Sequence, residues 1–191
     1  MRIGKVVSSR SHVDVLCQID KPHESEKPPG PSDYAFGRFV RVGESAVGLL
    51  YDSQLQNPDF GNYAPRLASS PAQVGVFTPD FFDEQATLVS ILLLGSLEAD
   101  AGMQGVPREV VPIHAEVRLM DDSEIMRFHH DPSASVQVRY VPQVLSQAGA
   151  VAAPLLMGVL DRLAGLFPQD RARIEVLRKA LLWQTTMTAI R

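Results

Sequence analysis

The stretch from Tyr34 to Ser53, YAFGRFVRVGESAVGLLYDS, reads as two apolar strands, Phe36–Val42 and Ala46–Tyr51, joined by a tight Gly43-Glu44-Ser45 turn. A three-residue connection containing glycine suits a short hairpin with the glycine at positive φ. Nothing in the stretch carries chemistry, so its role is architectural.

Reading outward from the hairpin adds four more strands. Ile3–Ser8 is short and β-branched, and His12–Ile19 alternates strictly, as a half-buried strand does. Lys21–Ser32, KPHESEKPPGPS, is rich in proline and charge and reads as a loop. Beyond the hairpin, Gln54–Pro71 is polar and turn-rich and reads as irregular, and Asp80–Glu84 as a single helical turn. Thr87–Leu97, TLVSILLLGSL, is continuously apolar, which predicts burial on both faces, with Gly95 at a bulge. Val111–Met120 is the last strand. The expected fold is mainly β with α: a small, closed or nearly closed β-barrel of about six strands over residues 1–120, followed by a helical appendage over residues 121–191.

The appendage opens on a helix start. Asp121 is followed three residues later by Glu124, in DDSEIMRF, and HHDPSAS then breaks the helix. Gln143–Phe167 reads as helical with an interruption at Pro154. Pro168-Gln169-Asp170 starts a final helix from Arg171 to Ile190. Its Val176, Ala180, Trp183, Met187 and Ile190 recur at steps of four, three, four and three, and Ile174, Leu177 and Leu181 widen that face. A stripe this broad needs a partner, either the barrel or another chain, and pairing with a second copy is the expectation.

Composition bounds the rest. The chain has 191 residues, 45% hydrophobic and 21% charged, with a net charge of −4; this fits a folded domain able to bury a core without disulfides or metal. The isoelectric point of about 5.7 argues against strong binding to DNA over a broad surface. Cys17, the single cysteine, keeps register with Val13, Val15 and Ile19, as a buried small apolar residue does. The opening MRIGKVVSS starts on a strand pattern rather than a signal peptide, so a reducing cytoplasm is expected. Val141–Leu160 has the length of a membrane span, but Gln143, Ser146, Gln147 and Pro154 dilute it. A buried or interface helix, and no membrane, is the expectation.

The sequence contains no G-x-x-x-x-G-K-[ST], G-x-G-x-x-G, G-x-S-x-G, H-E-x-x-H or C-x-x-C. No catalytic, cofactor-binding or metal residue is assigned, and no cofactor is expected. Two imidazoles and a carboxylate at His129, His130 and Asp131 have the ligand chemistry of a metal site, though adjacent residues rarely converge on one ion. The alternative is a polar loop capping the short helix. His114, alternating with Glu116, is expected on the outer face of a strand. Asp121 and Asp122 have acid/base chemistry, which a helix cap already explains. Arg38, Phe39, Arg41 and Tyr51 offer cations and aromatics near the hairpin, as barrels that bind single-stranded nucleic acid do.

In order along the chain, several of these pieces resemble the N-terminal HAS barrel of HerA-type DNA translocases. They are Ile3, Gly4 and Val6 in the first strand, the hairpin with Val47-Gly48-Leu49-Leu50, the strand LVSILLLGSL, and VPIHAEVRLMDDSEIMRF entering an acidic helix start. The resemblance covers Met1 to Phe128. In that family the barrel leads into an ATPase domain with a P-loop, which these 191 residues lack, so ATP hydrolysis is not carried over. What the resemblance implies is ring assembly and docking, including docking of a nuclease. Three function classes therefore stand at this point: a non-catalytic assembly or docking protein associated with a DNA-processing ATPase or nuclease, a nucleic-acid-binding barrel, and a metal-dependent enzyme using His129, His130 and Asp131 or His114.

Overall fold

The hairpin of the opening stretch is one wall of a closed barrel. The computed structural model describes residues 1–22, 24–56, 86–98, 101–130 and 135–189, the last six of these through their helical backbone only. Strands β1 (Arg2–Ser9), β2 (Asp14–Ile19), β3 (Phe39–Val42), β4 (Ala46–Gln56), β5 (Ala86–Leu97), β6 (Gly102–Gln104) and β7 (Glu116–Leu119) precede four helices. These are α1 (Asp122–His129), α2 (Val141–Gln147), α3 (Ala152–Leu166) and α4 (Arg171–Ala189). The sheet runs β2-β1-β7-β3-β4-β5-β6, and an additional β2–β5 pairing closes six strands into a ring, leaving β6 outside it on β5. All pairings are antiparallel. Closure satisfies strand edges that an open sheet would leave bare.

The hairpin register pairs Val42 with Ala46, which leaves Gly43, Glu44 and Ser45 as the turn, with Gly43 at φ 60°. β3 begins at Phe39 rather than Phe36, because Gly37 takes φ 80° and its N–H turns to the Leu50 carbonyl. β4 runs on to Gln56 instead of ending at Tyr51, pairing Asp52–Gln56 with Ala86–Ser90. Residues 57–71 and 80–84 lie outside the described residues. β7 begins at Glu116 rather than Val111, since His114 adopts φ 66° in a turn. His114 therefore sits in that turn, not on the outer face of a strand.

Two packed layers account for the apolar pattern of β5. Val89, Ile91 and Leu93 point into the barrel with Ile3, Val6, Cys17 and Val117. Leu92, Leu94 and Leu97 point outward, where Phe39 and Leu49 join them against the helices. A strand buried on both faces has no polar side to alternate with. Its register skips one residue beside Gly95, which pairs with Val47 while Leu93 pairs with Gly48. Gly95 sits at φ 150°, which glycine accepts and other residues rarely do. The Gln143 side chain of α2 donates to the Leu93 carbonyl at 2.6 Å beside this bulge, tying helix to barrel.

The helices cover the β3–β4–β5 wall. α1 starts on a complete capping box, in which the Asp121 side chain accepts from the Glu124 N–H and the Glu124 side chain from the Asp121 N–H. The helical stretch beyond it breaks at residues 148–151, not at Pro154. Pro154 lies in the first turn of α3, where a missing N–H removes no helical hydrogen bond. Gly149–Leu166 is long and apolar enough to cross a membrane by composition, yet Leu155, Leu156, Val159, Leu160 and Leu163 are buried in the same core as the barrel wall. α4 then packs along α3 through Ile174, Leu177 and Leu181. Arg178 pairs with Asp161 of α3 at 2.9 Å.

Candidate functional site

The face of α4 opposite this contact carries the stripe singled out by its spacing. Ile174 and Leu181 are buried, whereas Val176 and Trp183 are 66% and 67% exposed. A helix of 3.6 residues per turn puts residues 176, 180 and 183 on one side and residues 174, 177 and 181 on the other. The expected single broad face is therefore two faces. One docks on this chain's own α3, and the other, Val176, Ala180 and Trp183, faces water. Arg173 and Lys179, both exposed, flank that stripe three residues to either side of Val176. The side chain of Met187 and the whole of Ile190 fall outside the described residues.

The polar candidates resolve differently. His129 is fully buried and boxed by Phe39, Phe128 and Tyr140, with edge-on ring contacts 5.1 to 5.7 Å between centroids. Its Nδ1 lies 2.8 Å from the Ile125 carbonyl, which can only accept, so Nδ1 carries the proton. Nε2 then accepts from the Tyr140 hydroxyl at 2.8 Å. Both ring nitrogens are occupied, and burial lowers the pKa to about 4. His129 is thus a core residue rather than part of a capping loop, while its neighbour His130 is exposed at the end of α1. Asp131 lies outside the described residues. Among the described residues no group of three or more His, Cys, Asp or Glu side chains is arranged to hold a metal.

Asp121 and Asp122 are both engaged, the first as the helix cap and the second with Arg162 at 2.8 Å. Glu124 also accepts both Arg118 amino groups, at 2.6 and 2.9 Å, and that guanidinium holds its carboxyl below the usual range. Cys17 is buried inside the barrel, and desolvation raises its thiol to about 12, so it carries no thiolate at neutral pH. The hairpin residues do not assemble a stacking platform. Phe39 is buried under the helices, Arg38 turns to the Ser32 carbonyl, and Arg41 turns to the carbonyls of Leu97 and Glu44. Tyr51 is half-buried beside Asp14 and Arg10.

A second surface, not anticipated from the sequence, lies at one end of the barrel. The Gly43–Ser45 turn, the end of β5 and the segment from Gly105 to Pro112 enclose an open cleft of about 1020 Å³. Its walls carry the exposed apolar side chains of Met103, Val106 and Val110. Its carboxylates are Glu44, Glu98, Glu109 and Glu116, against Arg108. These residues come from four separate segments, so no local spacing marks them.

A family profile described as a domain of unknown function, DUF8166, matches residues 1–191, the whole chain. The chain belongs to the DUF8166 family. No curated protein matches it. The family match spans barrel and helices together, in keeping with the single core that joins β3, β4 and β5 to α1–α4.

Proposed function

We propose that this DUF8166 protein is a non-catalytic assembly and docking body, working in the cytoplasm. The observation that carries the reading is the α4 stripe: Val176 and Trp183 stand two-thirds exposed while the opposite face of the same helix is already buried. Leaving a tryptophan and a valine on one helix face in water forgoes about 1.5–3 kcal/mol for each that a partner could bury. Trp is also the residue type most enriched among interface anchors. The occupant is a second copy of this chain, and the assembled barrels dock a DNA-processing ATPase or nuclease. That partner class rests on the resemblance to HerA-type barrels. The engagement of His129, Asp121 and Asp122 in the fold supports a non-catalytic role.

Multi-angle light scattering during gel filtration tests the reading. The unmodified chain is expected to run as an oligomer, and Trp183→Asp to run as the 20.9 kDa monomer while still melting in one cooperative transition. A monomeric mass for the unmodified chain at high concentration would refute self-assembly. A second expectation is that the purified protein releases no phosphate from ATP above a buffer control, because no Gly-Lys-[Ser/Thr] loop cradles the phosphates. Phosphate release that co-purifies with the protein through successive columns would overturn the non-catalytic assignment.

A further inference from the structure

The α4 stripe and the barrel-end cleft are complementary. We infer that the acidic cleft at the barrel end receives the basic, apolar α4 face of a second copy of this chain, joining copies head to tail. The inference rests on the self-assembly reading above and names the acceptor.

The α4 face offers Val176, Ala180 and Trp183 between the cations Arg173 and Lys179. The cleft offers Met103, Val106 and Val110 among Glu44, Glu98 and Glu109, whose three carboxylates outweigh the Arg108 guanidinium beside them. Apolar groups meet apolar groups, and each cation meets a carboxylate-rich rim, which steers the encounter and fixes its orientation. Like surfaces would not pair as well: two α4 faces brought together would set Arg173 and Lys179 against their own kind.

The cleft is also held ready. His12 Nε2 donates to the Pro107 carbonyl at 2.6 Å, and the Gly105 N–H to the Leu94 carbonyl at 2.8 Å. Val6 and His114 tie the far end of the segment, with the Val6 N–H donating to the Ala115 carbonyl and the His114 N–H to the Val6 carbonyl. Arg41 holds the opposite wall through the carbonyls of Leu97 and Glu44. A wall fixed beforehand loses little freedom when a partner binds. No described residue of α4 lines the cleft of its own chain. Donor and acceptor surfaces are therefore different patches, so the contact propagates into a ring or an open chain unless two copies exchange helices reciprocally in a two-fold dimer.

Charge exchange tests this. Glu98→Lys/Glu109→Lys alters only the cleft, and Arg173→Glu/Lys179→Glu only the helix. Each variant alone is expected to weaken self-association by about tenfold or more, and the two mixed together to recover association, since each supplies the partner the other needs. Circular dichroism melts of both variants should match that of the unmodified chain at concentrations low enough to keep all three monomeric, as all four positions are exposed. If the unmodified chain assembles and Trp183→Asp disperses it, but the exchanged variants neither weaken association nor recover it on mixing, α4 assembles on another surface and the cleft assignment is wrong. If the unmodified chain is monomeric throughout, the assembly reading fails and the cleft assignment with it.

Discussion

Acidification from about pH 7 to about pH 4 is expected to remove about 3 kcal/mol of folding stability through His129 alone. Burial lowers the folded-state pKa of this imidazole from 6.5 to about 4. The unfolded chain therefore takes up a proton that the folded chain refuses. Stability is intact above the unfolded value of 6.5 and falls steadily as pH drops toward 4. The structural reason is specific. Protonation adds a second N–H at Nε2, where Tyr140 already donates, and the surrounding Phe39 and Phe128 rings solvate no charge. Glu124, held below the usual carboxylate range by Arg118, keeps its contribution down to its ordinary value of 4.5 and starts to lose it only at the acid end of this window. Urea midpoints measured across the range check the slope. His129→Gln should be less stable at neutral pH and nearly flat between the two values, whereas an unmodified chain with no slope there would disprove the assignment. Tyr140→Phe leaves Nε2 without its donor and should cost about 1–3 kcal/mol.

Gly95→Ala is expected to be among the most damaging single changes, destabilising the fold by about 3 kcal/mol or more. Two effects add. A side chain at φ 150° is strained wherever it stands. A Cβ there would also lie 2.0 Å from the backbone carbonyl oxygen of Met103 on β6. Backbone cannot swing aside as a flexible side chain can, so β6 must separate from β5 or the bulge must unwind. Gly158→Ala on α3 is the control, since nothing lies within 4 Å of the added methyl. It should be neutral or stabilise by about 0.5–1 kcal/mol. Thermal melts of the two variants should separate by roughly ten degrees; equal melts would remove Gly95 as the pin of the bulge.

The six barrel strands were legible because each carries its own local signal. Strict alternation in His12–Ile19, the turn glycine between β3 and β4, and unbroken apolarity in β5 each reflect the faces that the strand buries. β6 was not legible: three residues, GMQ, hold no period, and pairing with the end of β5 defines them. His129 read as a surface residue because its neighbours His130 and Asp131 are polar; only the fold brings Tyr140 and Phe39 around it. The α4 pattern reads as one broad apolar face, which the fold divides into a buried side at Ile174 and Leu181 and an exposed side at Val176 and Trp183. Spacing alone did not say which half the chain keeps for itself, because that depends on where α3 lies. The acidic cleft draws its carboxylates from turns far apart in sequence and left no mark on any single stretch.

Trp183 is the chain's one tryptophan, so its fluorescence reports on the assembly face without interference. Emission spectra recorded over a wide dilution series test the central claim most directly. Assembly through α4 predicts a water-exposed emission maximum at high dilution that shifts to the blue as concentration rises, following the same curve as the mass from light scattering. An emission maximum that stays at its exposed position at every concentration, whatever the mass, would contradict it.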